Sequence, residues 1–510
     1  MRSKLAMALL ILLLLTAGCD RSTPVGVTVD GQPADPVAPE PVREVVLPYS
    51  RAESLDPIHT GNRMNLELCA LIYDPLVRLD GAFCPQPALA ERVEVAGNTV
   101  TLHLRAEVYF HNGKRFSAED VLYSLEAARQ AGNYTARLAE LEQIEVLDGQ
   151  TVRLTLSREN GLFAALLQIP MLPARTAGEP FEPVGTGRYI LYAAQGLLQA
   201  NAGWYGGAQP LSEIHLFDTP DAEAAGFAFE LGSIGLLTQP PAETAGLRKG
   251  YVTNRLVFLG VNPKAAALHS APLRQALSSG LSRSALLGEN LMKGGYAVLS
   301  PLNPRWYLFD ATAAGRHSAL EPEALLQAAG YGELDGEGLR VAALPGGRTQ
   351  RLSVRLLCNS AVSGRVGLAA GIAGQLRACG YEVLVREVGA AEYFSLVEKG
   401  DFDLYIGELR LLPDMDLSAL VGSGGRLNYG GFSSADVDGA LLALRLADEA
   451  GRPEAASRLA AALDDELPII PLYYEEGEVL VAEALAPMLE PNCTDPLNGL
   501  TEVPLRRSEP

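Results

Sequence analysis

Residues 102 to 125, LHLRAEVYFHNGKRFSAEDVLYSL, constrain the fold more than any other stretch. Leu102 and Leu104 alternate with His103 and Arg105, the period of a half-buried strand. Asn112-Gly113 is a turn dipeptide. Ser117 then stands where it accepts a backbone N–H of a first helical turn, and Asp120 three residues on completes a capping box that also suits the positive end of the helix dipole. Val121, Leu122, Leu125 and Ala128 mark one apolar helix face. Strand-like and helix-like segments go on alternating down the chain without a fixed period, which excludes a solenoid and indicates an α/β architecture. Strands are expected over 43–47, 99–104, 151–156, 352–357, 382–387 and 403–407, and helices over 118–130, 272–288, 320–329, 365–379 and 434–449.

The N-terminus addresses location. Arg2 and Lys4 precede an apolar run from Leu5 to Leu15, too short for a hydrocarbon core of about 30 Å but right for a signal-peptide core. Thr16-Ala17-Gly18-Cys19 follows, and small residues before a cysteine resemble a lipoprotein box. The expectation is a signal peptide over 1–18, a lipid on Cys19 and a Pro- and Asp-rich tether over 19–42, with durable anchoring needing two or more acyl chains. An ordinary secretory signal with an incidental cysteine is the alternative.

Among 510 residues the chain has 41 basic and 61 acidic side chains, a formal charge of −20, which disfavours a nucleic-acid partner. Cys69, Cys84, Cys358, Cys379 and Cys493 show no zinc-ligand spacing. They read as isolated thiols, with a Cys69–Cys84 bridge as the alternative. No GxxxxGK[ST] or HExxH occurs. Ala276-Leu-Ser278-Ser-Gly280 faintly resembles a nucleophile elbow, but it lacks the first glycine and sits in a helical pattern. The chain is expected not to be an enzyme and to need no cofactor.

The wording "LR..V.FH.GK.F.A.DV.YSL" within 102–125 resembles the signature of the family 5 extracellular solute-binding proteins of ABC importers, the oligopeptide, dipeptide and nickel-chelate receptors. Other blocks follow in family order. They include SLDP from Ser54, IYDPLVRLDG from Ile72, PVGTGRYIL from Pro183, LEPEALLQAAGY from Leu320, GDFDLYIGE from Gly400 and DDELPIIPLYY from Asp464. The resemblance implies an α/β, two-lobed periplasmic-binding-protein-like fold (class II, cluster C type), with a subdomain inserted in lobe one and a cleft between lobes. Lobe one is expected over 43–258, with its insertion near 66–181, and again over 480–510; lobe two over 259–479. The implied function is capture of a peptide or peptide-like solute for the permease and ATPase subunits of a peptide-type importer, by a monomer. A non-transport receptor or scaffold, or a binder of a metal chelate or modified peptide, is the alternative.

Gly407 to Leu420, GELRLLPDMDLSAL, is similar to the family stretch "GW..D..DP", whose first aspartate pairs with a ligand ammonium. The alignment places Glu408 at the Trp, Leu411 at that aspartate and Asp414 at the second. The anchor is missing, and Arg410 favours a carboxylate or phosphate-like group; Glu408 and Arg410 facing solvent at the lobe edge is the plain alternative. Candidate ligand contacts are therefore Asn62, Arg63, Trp306, Tyr393, Glu408, Arg410, Asp414 and Tyr429. His59 lies in the same loop as Asn62, but a lone histidine carries no metal assignment. Gly235 and Ser282 stand where the family has Asp.

Overall fold

The computed structural model describes residues 45–130, 132–176, 179–288 and 294–500. The expected signal peptide, the expected lipid site at Cys19, the expected tether and residues 501–510 lie outside the described residues. Among the described residues, no helix is long and apolar enough to cross a membrane.

A seven-stranded mixed sheet runs in the order Leu236–Leu237, Ile469–Val481, Leu247–Val261, Leu404–Arg410, Ser353–Asn359, Glu382–Val388, with Gly295–Ala297 also paired to Ile469–Val481. Ser353–Asn359 is parallel to both Glu382–Val388 and Leu404–Arg410. Helices Arg365–Ala378 and Ala390–Lys399 make the crossovers that parallel pairing requires. The strand period of two sends Leu256 and Phe258 to a core on one face, and Val257, Leu259 and Val261 to a core on the other. Both faces are covered, so these strands read as continuous apolar runs.

Two further sheets precede it. Val46–Tyr49 pairs in parallel with Glu213–Asp218, which continues antiparallel through Leu197–Ala200 to Tyr189–Tyr192. A second, antiparallel sheet orders Ala90–Ala96, Thr99–Leu104, Thr151–Leu156 and Leu141–Asp148. Gly235 stitches the first of these to the large sheet: its N–H donates to Val46 O (3.0 Å) and its carbonyl accepts from Ala482 N (2.8 Å).

The strand, turn and helix of 102–125 form as expected. Gly113 takes φ +82° in the turn, and the helix spans Ala118–Gln130. The capping box is only half made. Asp120 accepts from the Ser117 N–H (2.9 Å), but the Ser117 hydroxyl also donates to Asp120 (3.0 Å) instead of accepting from the helix. The buried face includes Asp120 and Ser124 and leaves Leu122 partly exposed. The expected helix over 272–288 is broken at Gly280 into Ala271–Ser279 and Arg283–Leu286, with Ser282 capping the second piece through Ala285 N (3.4 Å). Ser282 is thus the N-cap of this short helix. All five described cysteines are free thiols. In PVGTGRYIL, a Cβ on Gly185 would sit 2.0 Å from Ile72 O, so only glycine lets this loop lie against the end of helix Arg63–Ile72.

Candidate functional site

Strand Leu404–Arg410 delivers Glu408 and Arg410 to one end of the large sheet, opposite Val257 and Arg255 of the neighbouring strand. Glu408 is taken up by protein partners. It bonds Arg255 and, at 2.6 Å, Arg365 Nη2, while Glu475 lies 3.2 Å from Arg255 and 3.7 Å from Arg365. Arg365 also donates to the Tyr473 hydroxyl (2.6 Å). Burial alone would raise the Glu408 pKa, but the bonds from Arg255 and Arg365 outweigh it and hold the carboxyl below its ordinary range. Two cations and two anions balance here, which leaves no charge for a ligand ammonium.

Arg410 is differently placed. Its Nε donates to Asn254 Oδ1 (3.3 Å), and among the described residues it makes no salt bridge to a carboxylate. Burial and then the nearby Arg63 lower its pKa. Arg63 comes from the first turn of helix Arg63–Ile72, which Asn62 caps by accepting from Asn65 N (3.0 Å). A third guanidinium, Arg137, reaches the same region. It donates to Gln168 O (2.9 Å), lies 5.8 Å from the Tyr134 ring centre and likewise has no carboxylate salt bridge. Its pKa is lowered first by burial and then, among charged neighbours, by Arg410.

Arg137 also lines a cavity of about 510 Å³, with Leu66, Tyr134, Gln168, Asn492 and Thr494 among its walls. That volume is in the range of small-molecule sites. Cys493, between two of the wall residues, has its thiol pKa raised by burial against the opposing pull of Arg410 and Arg137. The cavity therefore brings together helix Arg63–Ile72, the 134–137 turn, Gln168 and the returning segment 492–498. Sequence reasoning missed Tyr134, Arg137, Gln168 and the 492–498 segment, for which no motif gives a signal.

The other expected contacts fall elsewhere. Trp306 (3% exposed) and Tyr393 (6%) are core side chains, and the Tyr393 hydroxyl is used by Ile406 O at 2.5 Å. Tyr429 is partly buried, its ring 6.4 Å from that of Tyr405. Leu411, at the position of the missing anchor, is buried in the same core, and its carbonyl accepts from Asn254 Nδ2 (2.6 Å). Asp414 is buried and its pKa is pushed up to about 7, by desolvation first and then by Asp416. His59 pairs with Asp56 (3.0 Å), and no cluster of three or more metal-ligating side chains occurs among the described residues.

One constellation has the geometry of a hydrolytic triad. Ser278 Oγ lies 2.9 Å from His317 Nε2, and His317 Nδ1 lies 2.7 Å from Asp464 Oδ1. The serine is fully buried within a helix, and Arg283 Nη2 already donates to its Oγ at 2.7 Å. Ser278 and Arg283 line an open pocket of about 300 Å³, but the hydroxyl itself is buried and taken up by His317 and Arg283, which makes the set a hydrogen-bonded network.

An arginine-lined, half-open cavity of this size is compatible with a solute-binding site. Residues 85–420 match the model for bacterial extracellular solute-binding proteins, family 5 (middle region), and the chain belongs to that family. Haemophilus influenzae heme-binding protein A is 24% identical over 309 residues, 51% of this chain and 56% of that protein. The oligopeptide-binding protein AppA of Bacillus subtilis is 24% identical over 459 residues, 81% and 83% of the two chains. The crystal structure of a nickel ABC transporter from Bacillus halodurans superposes with a TM-score of 0.76 at 21% identity, over 90% of this chain and all of that one. The chain thus has the family's two-lobed α/β fold, while it spans little more than half the length of the heme-binding relative.

Proposed function

We propose that this chain is the solute-capturing subunit of an ABC importer, anchored outside the cytoplasmic membrane through Cys19, and that it hands a peptide or peptide-like solute to a permease and its ATPase. In this reading lobe one spans 43–258 and 480–510, with its insertion near 66–181, and lobe two spans 259–479. The observation that carries it is the cavity of about 510 Å³ with Arg137 in its wall. A desolvated guanidinium without a carboxylate partner is costly unless a ligand supplies the anion, and the terminal carboxylate of a short peptide does so. The volume suits a few residues. With Leu411 buried where the family's ammonium-pairing aspartate would stand, recognition rests on the anionic end of the solute.

Native mass spectrometry of the full chain purified from cells, followed by calorimetry with trialanine and its C-terminal amide, tests the reading. Retained masses of a few hundred daltons are expected. Arg137→Gln should weaken trialanine by about tenfold or more, the loss of a charge-assisted hydrogen bond. A chain that retains no solute and binds neither peptide overturns it.

A further inference from the structure

Two loops of the first half of the chain are seated on the second half, and the first of them begins in the wall of the 510 Å³ cavity, which Asp80 and Gly81 line. In the first, Asp80–Cys84, Phe83 adopts φ +60° and buries its ring in a core otherwise built almost wholly from residues beyond 250, including Trp306, Met415 and Leu441. Beside it Tyr307 N donates to Ala82 O (2.9 Å). In the second, 158–163, Leu162 enters the same core. Gly161 N donates to Arg445 O (2.7 Å), and Gly161 O accepts from Arg452 Nη2 (2.6 Å). Arg158 bonds Asp416 (3.1 Å) and Glu140. A Cβ on Gly161 would lie 2.6 Å from Ala447 O, so the seat admits only glycine without displacement.

The seat gathers carboxylates from both halves. Glu140 and Arg158 come from the first half, Asp414 and Asp416 from the second; Arg158 bonds Glu140 and Asp416, while Asp414, beside both carboxylates, makes no salt bridge among the described residues. Asn160 donates to Glu140 (3.0 Å) and also bonds Asp414, Arg137 contributes positive charge from its turn, and Arg445 of helix Ala435–Leu446 lines the small pocket shared by Asn160 and Asp416. Met415, between the two aspartates, holds a left-handed φ of +54°, a conformation unfavourable for a residue with a Cβ. Such a turn persists only where its surroundings enforce it.

We propose that loops 80–84 and 158–163 form a proton-dependent latch, which clasps segments 306–308, 414–417 and 445–452 and holds the two halves of the chain together without solute. The inference rests on the two-lobed reading proposed above and adds that the lobes separate and rejoin across their cleft. With the latch seated, Asp414 is walled off beside Asp416 and Glu140, and its proton removes one of three mutually repelling charges. With the latch open, water solvates the carboxylate and it releases that proton. Seating therefore takes up a proton. It is favoured at acid pH and weakens as pH rises from the ordinary carboxylate range to about 7, the value to which burial and Asp416 push Asp414.

Two amides report directly, Tyr307 N–H on Ala82 O and Gly161 N–H on Arg445 O. Hydrogen exchange of the full chain, stripped of solute and corrected for intrinsic rates, should show both protected at least about tenfold more at pH 5.5 than at pH 8. Asp414→Asn should abolish that difference and keep protection at pH 8. Gly161→Ala and Arg158→Gln should each expose the Tyr307 amide at both pH values. Equal protection at the two pH values in the native chain, or an unchanged pH difference in Asp414→Asn, overturns the proposal. The asparagine variant alone decides if Gly161→Ala fails to fold. No solute is present, so failure here leaves solute capture standing, whereas loss of trialanine binding would leave the latch standing.

Discussion

Arg365 Nη2 and Glu408 Oε2 meet at 2.6 Å beneath the end of strand Leu404–Arg410, with the arginine side chain 4% exposed and the glutamate side chain 29%. A buried guanidinium fixed on Glu408 and Tyr473 makes this pair part of the scaffold. Arg365→Ala should cost about 3 kcal/mol or more, because Glu408 and Glu475 would then share only Arg255. Glu408→Gln should cost less, about 1–2 kcal/mol, because Glu475 remains beside both arginines. Neither should alter the trialanine affinity of the protein that still folds. Urea unfolding and calorimetry on the same samples check both statements, and a loss of affinity in Glu408→Gln at unchanged stability would return Glu408 to the ligand site.

Glu67 supplies a second pH dependence. Its carboxylate bonds the Thr238 hydroxyl and Gln239 Nε2 (3.0 Å), and desolvation pushes its pKa up to about 7 despite Arg63. Between the ordinary glutamate range and 7 the folded chain keeps a proton that the unfolded chain releases. Glu67 therefore lowers stability as pH rises through that window, and the effect is flat above it. Glu67→Gln should raise the melting temperature at pH 8 by about 2–4 °C relative to the native chain and leave pH 4.5 nearly unchanged. Differential scanning calorimetry at the two pH values is sufficient, and a variant with the native pH slope would rule Glu67 out as its source.

The Ser278, His317 and Asp464 network makes a third prediction. His317→Ala should destabilise the chain by about 3 kcal/mol, since it strips a buried carboxylate of its ring partner. Ser278→Ala should cost only about 1 kcal/mol. Burial would raise the Asp464 pKa, but the bonds from His317 and from the Gly315 and His317 amides bring it below the ordinary range. This contribution is present above that range and is lost as pH falls through the depressed value. A fluorophosphonate probe should leave Ser278 unlabelled. Stoichiometric labelling would show that the hydroxyl is reachable and overturn the structural reading.

The scaffold was legible because its signals are local. Strand Thr99–Leu104, the Asn112-Gly113 turn and helix Ala118–Gln130 each depend on residues a few positions apart, and strands Thr99–Leu104 and Thr151–Leu156 match their expected limits. Helix 272–288 was misread because its apolar period runs through Gly280, where the tertiary contacts turn the chain. The site was far less legible. Glu408 looks like a free carboxylate until Arg365, 43 positions away, and Arg255, 153 positions away, are seen beside it. Arg137 has nothing in its own neighbourhood to distinguish it from any exposed arginine. Its significance comes from Gln168 and from Asn492 and Thr494, at the far end of the chain. Trp306 and Tyr393 show the converse error, for an aromatic in a loop-like or helical stretch packs in a core at least as often as it faces a cleft.

Strands Leu247–Val261 and Ile469–Val481 are paired along most of their length, but their register shifts between Val252 and Leu256 and again between Val257 and Phe258. Over that gap the ladder gives way to the Thr253 hydroxyl on Glu475 O (2.7 Å) and the Asn303 amide on Thr253 O (2.9 Å). On its other edge the same strand keeps an unbroken ladder, Arg255 to Val261 against Leu404–Arg410, and Leu411 N donates to Asn254 O (2.9 Å), so the gap is one-sided. Asn254 and Arg255, which hold Arg410 and Glu408, sit at that gap. The side chains that orient Arg410 and Glu408 are thus carried where backbone pairing secures one edge of the strand and side chains replace it on the other.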